Sequence, residues 1–133
     1  MLDETRTVSL IAMGSRGDIQ PTLCLATALA ALPKLEKGTR IHVKVIVPEN
    51  YFQWVTSELS SKHVTVLSLP SNAEENINHK SVADQVVKGD ATVLLRAMAD
   101  PEQMKQDLLS LVKWCKDSDV VVVSAMSVPA GAI

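Results

Sequence analysis

Four short runs of β-branched and aliphatic residues, separated by segments with helical periodicity, constrain the fold of this chain more than any other feature. The runs are residues 7–13, 41–47, 64–69 and 119–125. The first and last are almost continuously apolar, which is typical of central strands covered on both faces. The other two alternate in part, so we expect them nearer to a sheet edge. Strand–helix alternation predicts right-handed βαβ units and therefore an α/β, Rossmann-like parallel sheet of about four strands flanked by helices.

Helical patterns fill the gaps between these runs. Leucines spaced i, i+4 and i+7 on an alanine-rich body predict a helix over 21–32, which Pro33 ends. An aromatic stripe predicts a second helix over 50–61, and a broken pattern predicts a third over 82–99. The polar stretch 70–81 between them is predicted to be a loop.

The clearest helix start is the sequence Asp-Pro-Glu-Gln at 100–103. Asp100 is predicted to be the N-cap and Pro101 the first helical residue, where its missing N–H costs no hydrogen bond. The apolar face predicted for this helix consists of Met104, Leu108, Leu111, Val112 and Cys115.

Length and charge exclude several classes of function. The 133 residues are enough for one domain, and 13 basic against 15 acidic residues give a net charge of −2. With no basic block and only four aromatic residues, the chain lacks the charged or stacking surface of a nucleic-acid-binding protein. The acidic start is not typical of a secretory signal, and the weakly polar run 120–133 is too short to span a bilayer. We therefore expect a cytoplasmic protein.

The cysteine and histidine pattern points to no metal site. Cys24 and Cys115 are far apart in the sequence, and both lie on helical patterns. The expected state of both is a reduced, buried thiol. The spacings of histidines, cysteines and acids match no common metal centre.

The segment Gly-Ser-Arg-Gly-Asp-Ile-Gln-Pro at 14–21 is the main candidate for a functional site. It follows the first predicted strand directly and runs into a helix, which makes it the first βα turn of the sheet. Ligands of such sheets bind beyond the carboxyl ends of the strands, where the strand order reverses. Gly14 and Gly17 supply the conformational freedom that a tight turn needs, and the N–H groups of the following helix favour an anion.

Two common motifs match this segment only superficially. Arg16-Gly17-Asp18 is the tripeptide of cell-adhesion ligands, but an adhesion loop stands exposed in a secreted protein. The dinucleotide fingerprint requires G-x-G-x-x-G, and the segment lacks the middle glycine, although Glu49 follows the second predicted strand as the fingerprint's acid does.

The roles of Asp18 and Arg16 stay open on these grounds. Asp18 is either the helix N-cap, with Pro21 in the first turn, or a carboxylate placed as a general base, and the two roles are compatible. Arg16 is either a solvated arginine or a clamp on that carboxylate or on a phosphate.

The eight residues 14–21 resemble the opening loop of sterol glucosyltransferases and of related glycosyltransferases that decorate antibiotics, with Ile19 in place of valine. Weaker similarity extends over most of the chain. The resemblance implies a GT-B fold, in which two Rossmann-like domains face each other across a cleft. Residues 1–133 would form an incomplete N-terminal, acceptor-side domain, and the C-terminal donor-binding domain would be a missing partner, so we expect the isolated chain to be inactive.

The resemblance also implies roles for the residues of this loop. Asp18 would deprotonate the acceptor hydroxyl, and the donor-diphosphate side would be lined by Gly14, Ser15, Arg16 and Gly17. Related plant-type enzymes have a histidine as the base and an acid at the position of Ala125 that orients it. The co-substrate would be a UDP-sugar and no other cofactor is expected. The acceptor would be a small molecule, lipid or sterol-like compound, with peripheral membrane contact.

Other polar residues are weaker candidates. Ser124 and Ser127 follow the last predicted strand on the acceptor side, and His79 lies in a polar loop from which it could touch an acceptor. Structural roles are expected for His42, His63, Trp54 and Trp114. The alternative to an enzyme is a non-catalytic Rossmann-like module that binds or regulates a partner.

Overall fold

The computed structural model describes residues 4–35, 38–70 and 101–124. The strands are β1 (Thr5–Ile11), β2 (Arg40–Pro48), β3 (Val64–Leu69) and β4 (Val120–Val123). The helices are α1 (Arg16–Ala30), α2 (Phe52–Glu58) and α3 (Pro101–Cys115), and a 3₁₀ turn (Glu49–Tyr51) precedes α2. The predictions for residues 71–81 and 82–99, and those for His79, Asp100 and Ser127, lie outside the described residues.

The four strands form one parallel sheet in the order β3-β2-β1-β4. The predicted α/β, Rossmann-like arrangement is confirmed. The chain steps from β1 to β2 and then β3 in one direction, and β4 lies on the opposite side of β1. The strand order therefore reverses at β1, which places the first βα turn at the position where such sheets bind ligands.

The prediction of which strands are central was wrong for two of the four. β2 lies between β1 and β3, and its last four residues are buried. β4 pairs with β1 and lies at the edge of the described sheet, where Val120, Val121 and Val122 are 51%, 43% and 40% exposed. An apolar run indicates that a strand favours burial. Its position in the sheet depends on which strands it pairs with, and the run does not encode this pairing.

Helices cover both faces of the sheet. One face packs against α1 and α2, and its core includes Leu10, Ile19 and Val55. The other face packs against α3, and its core is formed by Ile11, Ile46, Leu69 and Leu111. Neighbouring residues of β1 thus point to different layers, as strand geometry requires.

The first helix is longer than its sequence pattern predicts. α1 begins at Arg16 instead of residue 21, and Pro21 lies in its second turn. The expectation that Pro21 lies in the first turn is wrong, and Pro21 removes one helical hydrogen bond, because another residue at this position would donate to the carbonyl of Gly17. The helix ends at Ala30, before Pro33, as expected.

The start of α3 at Pro101 is confirmed, and its apolar face is confirmed in part. Leu111 is 2% exposed and Cys115 packs against the same core. Met104 and Val112 are 44% and 48% exposed, whereas Asp107 is buried. The helix is therefore rotated relative to the face that the hydrophobic pattern indicated.

Candidate functional site at the first βα turn

The turn after β1 is shaped by Gly14. Its φ of 106° lies in the left-handed region, which other residues adopt only at a cost. This conformation redirects the chain from the end of β1 into α1 within four residues, 12–15. Gly17 has no such requirement, because a Cβ added there would meet the Ser15 Oγ at 3.7 Å, an ordinary contact distance. The prediction that the turn needs both glycines holds for Gly14 only.

Ser15, and not Asp18, is the N-cap of α1. Ser15 has extended backbone angles, φ −82° and ψ 171°, and Asp18 is the third helical residue. The Asp18 carboxylate reaches back over this first turn and accepts hydrogen bonds at Oδ2 from Ser15 N and Ser15 Oγ, each at 2.7 Å. The Asp18 N–H donates to the Ser15 carbonyl at 3.0 Å. The spacing Ser-x-x-Asp is a capping-box signature that could have identified this arrangement from the sequence.

The hydrogen bonds from Ser15 set the ionisation of Asp18. The side-chain bond, followed by the backbone bond, lowers the pKa of Asp18 below its ordinary value of 3.8, against a small opposing effect of desolvation. The side chain is exposed, and the helix N-terminus also favours a negative charge at this position. Asp18 is therefore an ionised carboxylate throughout the neutral pH range.

The two oxygens of Asp18 are in different environments. Oδ2 accepts both bonds from Ser15, whereas no residue in 4–35, 38–70 or 101–124 donates a hydrogen bond to Oδ1. An exposed, ionised carboxylate with an oxygen to which no described residue donates can accept a hydrogen bond from a bound ligand.

Arg16 packs on an aromatic ring and does not clamp Asp18. Its guanidinium carbon lies 4.1 Å from the centre of the Trp54 ring, a cation–π contact between α1 and α2. Trp54 also packs edge-on against Tyr51 and contacts the core, which confirms its role as a core anchor. Within the described ranges, no ion pair joins Arg16 to Asp18.

A groove runs between α1 and α2 beside this turn. It has a volume of about 970 Å³ and is lined by Arg16, Gly17, Cys24, Trp54 and Glu58, among others. Asp18 is not part of its lining. The groove therefore lies along the flank of α1, and the candidate base lies outside it.

Ser124 is the other predicted site residue that the structure brings to this end of the sheet. Its N–H donates to the Ile11 carbonyl at 3.0 Å, which places it directly after β4 and beside the end of β1. Ser124 and Gly14 therefore lie at the same edge, on either side of the reversal in strand order.

The cysteines and histidines agree only in part with the sequence predictions. Cys24 is exposed, contrary to expectation, and Cys115 is half-buried, with burial raising the pKa of its thiol; neither forms a disulfide. His42 lies on β2, and its Nε2 is 2.8 Å from Thr65 Oγ1. His63 lies next to β3, and its Nε2 is 2.9 Å from Arg40 Nη1.

In the part of the chain described, no group of three or more His, Cys, Asp and Glu residues could hold a metal ion. No described helix has the length and apolarity needed to cross a bilayer.

No family model, no curated protein and no solved structure matches the chain. The geometry of the first βα turn and the motif resemblance at residues 14–21 are therefore the features from which a function can be proposed.

Proposed function

We propose that this chain is the acceptor-side part of a glycosyltransferase that moves a hexose from a UDP-sugar to a hydroxyl group of a lipid or sterol-like acceptor. The observation that carries the proposal is Asp18: an ionised, exposed carboxylate beside the reversal in strand order, with one oxygen available. The motif at residues 14–21 supports the same assignment by resemblance.

The proposed reaction needs one proton acceptor on this chain. As the acceptor oxygen attacks the anomeric carbon of the sugar, the bond from that carbon to the diphosphate breaks and UDP leaves with the bonding electrons. The proton of the acceptor hydroxyl passes to Asp18 Oδ1. A carboxylate base needs no second acid to fix a tautomer, in contrast to a histidine base.

The donor side of the site is assigned to the same loop. Gly14 and Gly17 would face the diphosphate, whereas the N–H and hydroxyl of Ser15, also expected on this side, both donate to Asp18. Arg16, held on Trp54, keeps guanidinium N–H groups for an anion. A donor-binding domain on a partner or on further sequence would complete the cleft. The protein would act in the cytoplasm with peripheral membrane contact, where a lipid acceptor is available.

The test is sugar transfer by the chain fused to the donor-binding domain of a sterol glucosyltransferase, with UDP-glucose and a sterol. We expect Asp18→Asn to lower kcat by about 10²–10⁴-fold, the contribution of a general base, with the KM for UDP-glucose unchanged. Asp119→Asn, which alters an exposed carboxylate at the other end of β1, is the matched control and retains wild-type turnover.

Wild-type turnover in Asp18→Asn would refute Asp18 as the base. A fused wild-type protein that binds UDP-glucose and transfers no sugar to any sterol or lipid tested would favour the non-catalytic binding module.

A further inference from the structure

Ser15 and Asp18 form the capping box at the start of α1. Its N–H and its hydroxyl both donate to the same carboxylate oxygen, Oδ2, at 2.7 Å each. Helix capping by a Ser-x-x-acid pair normally uses the acid to accept from the N-cap backbone N–H. Here the hydroxyl adds a second donor to that oxygen.

Two donors on one oxygen fix the rotation of the carboxylate. A single hydrogen bond leaves the plane of the group free to turn about its bond to Cβ, whereas two convergent bonds from one residue hold Oδ2 against the turn. Oδ1 makes no hydrogen bond with Ser15, and no described residue donates a hydrogen bond to it. The cap residue thereby selects which oxygen meets a ligand.

We infer that Ser15 is a positioning residue for the transfer reaction, in which its N–H and hydroxyl hold Asp18 Oδ2 so that Oδ1 is the oxygen that receives the acceptor proton. This inference rests on the proposed function and adds a second residue to it. Ser15 acts through Asp18 in this role.

The first experiment uses the 133-residue chain alone and needs no activity. NMR titration of the aspartate side-chain carboxyls is recorded for wild type, Ser15→Ala and Ser15→Thr. We expect the pKa of Asp18 to rise toward 3.8 in Ser15→Ala, because the larger of its two stabilising bonds is lost, and to stay at the wild-type value in Ser15→Thr.

Asp119 is the internal control in the same spectra. Its pKa is also lowered, first by the hydrogen bond from Thr7 N and then by that from Arg6, and neither involves Ser15. An unchanged Asp119 titration shows that the variant remains folded. An unchanged Asp18 pKa in folded Ser15→Ala overturns the inference, as does failure of Ser15→Thr to restore it.

The second experiment measures transfer by the fused protein. Ser15→Ala is expected to lower kcat by about tenfold or more, the usual consequence of a misplaced reacting group, with little change in KM for UDP-glucose, and Ser15→Thr to restore it. If Ser15→Ala raises the pKa of Asp18 and leaves kcat unchanged, Ser15 has no positioning role, although Asp18 remains the base. Loss of transfer in wild type itself refutes the proposed function, so the two failures are distinguishable.

Discussion

Two exposed aspartates with lowered pKa values lie at opposite ends of β1, and they differ in how their oxygens are used. Asp119 engages both: Oδ1 accepts from Arg6 Nη1 at 3.1 Å and Oδ2 from Thr7 N at 2.7 Å. Asp18 accepts two bonds at Oδ2 and none from a described residue at Oδ1. The first carboxylate uses both oxygens in joining β4 to β1, whereas the second has an oxygen to which no described residue donates a hydrogen bond.

The partners also differ in distance along the chain. Asp18 is bound by a residue three positions away, and Asp119 by residues 112 and 113 positions away. A lowered pKa is therefore common to both aspartates and does not distinguish them. They differ in how many oxygens accept hydrogen bonds from described residues and in their position in the sheet.

The largest expected effect concerns the pH dependence of transfer. Because the pKa of Asp18 lies below 3.8, we expect kcat/KM of the fused wild-type protein to stay level from pH 7 to pH 5. In Asp18→His the base loses activity when protonated, and with an ordinary pKa of about 6.5 the rate at pH 5.5 falls about tenfold below its plateau. Asp119→His should keep the level wild-type profile. A fall in kcat/KM of the wild-type fused protein as pH drops through about 6.5 would contradict Asp18 as the base.

The second prediction concerns stability in acid. A carboxylate whose folded pKa is lowered stabilises the fold above its unfolded pKa, and this contribution is lost as pH falls below about 3.8 through the folded pKa. Urea unfolding midpoints of Asp119→Ala and wild type should therefore differ at pH 7, and the difference should shrink as pH falls below about 3.8.

At pH 7, Asp18→Ala should have a smaller effect than Asp119→Ala. Asp119→Ala also removes the ion pair with Arg6, which joins distant parts of the chain, whereas Asp18→Ala affects one exposed helical turn. Equal loss of stability in the two variants would show that Asp18 holds the fold as Asp119 does.

The smallest expected effects concern the two arginines next to these carboxylates. Arg6 forms ion pairs with Glu4 at 2.7 Å and with Asp119, all largely solvated, whereas Arg16 stacks on Trp54. We expect Arg6→Ala and Arg16→Ala each to lower the free energy of unfolding by about 0.5 kcal/mol. Because salt screens ion pairs, 1 M NaCl should reduce the stability loss caused by Arg6→Ala. The stability loss caused by Arg16→Ala should be reduced less. The same salt dependence in both would contradict this distinction.

The sequence allowed the local features of the molecule to be predicted better than the distant ones. Strand–helix alternation predicted the parallel α/β sheet, and Asp-Pro-Glu-Gln predicted the start of α3, because these signals depend on neighbouring residues. The capping of α1 was also encoded locally, in Ser15-x-x-Asp18, although the cap was assigned to the wrong member of that pair.

Features that depend on tertiary pairing could not be predicted. The stacking of Arg16 on Trp54 joins two helices, and the bond from Arg6 to Asp119 joins the two ends of the chain. The same limit explains why β4 was expected in the centre and β2 nearer an edge. Hydrophobicity reports how a strand prefers to be covered, but the order of strands is decided by the whole chain.

The most direct test of the account is a crystal structure of the fused protein with UDP and a sterol acceptor bound. We predict that the acceptor hydroxyl lies within about 2.6–3.2 Å of Asp18 Oδ1, with Ser15 still bound to Oδ2. An acceptor whose hydroxyl lies in the groove between α1 and α2, out of reach of Asp18, would contradict it.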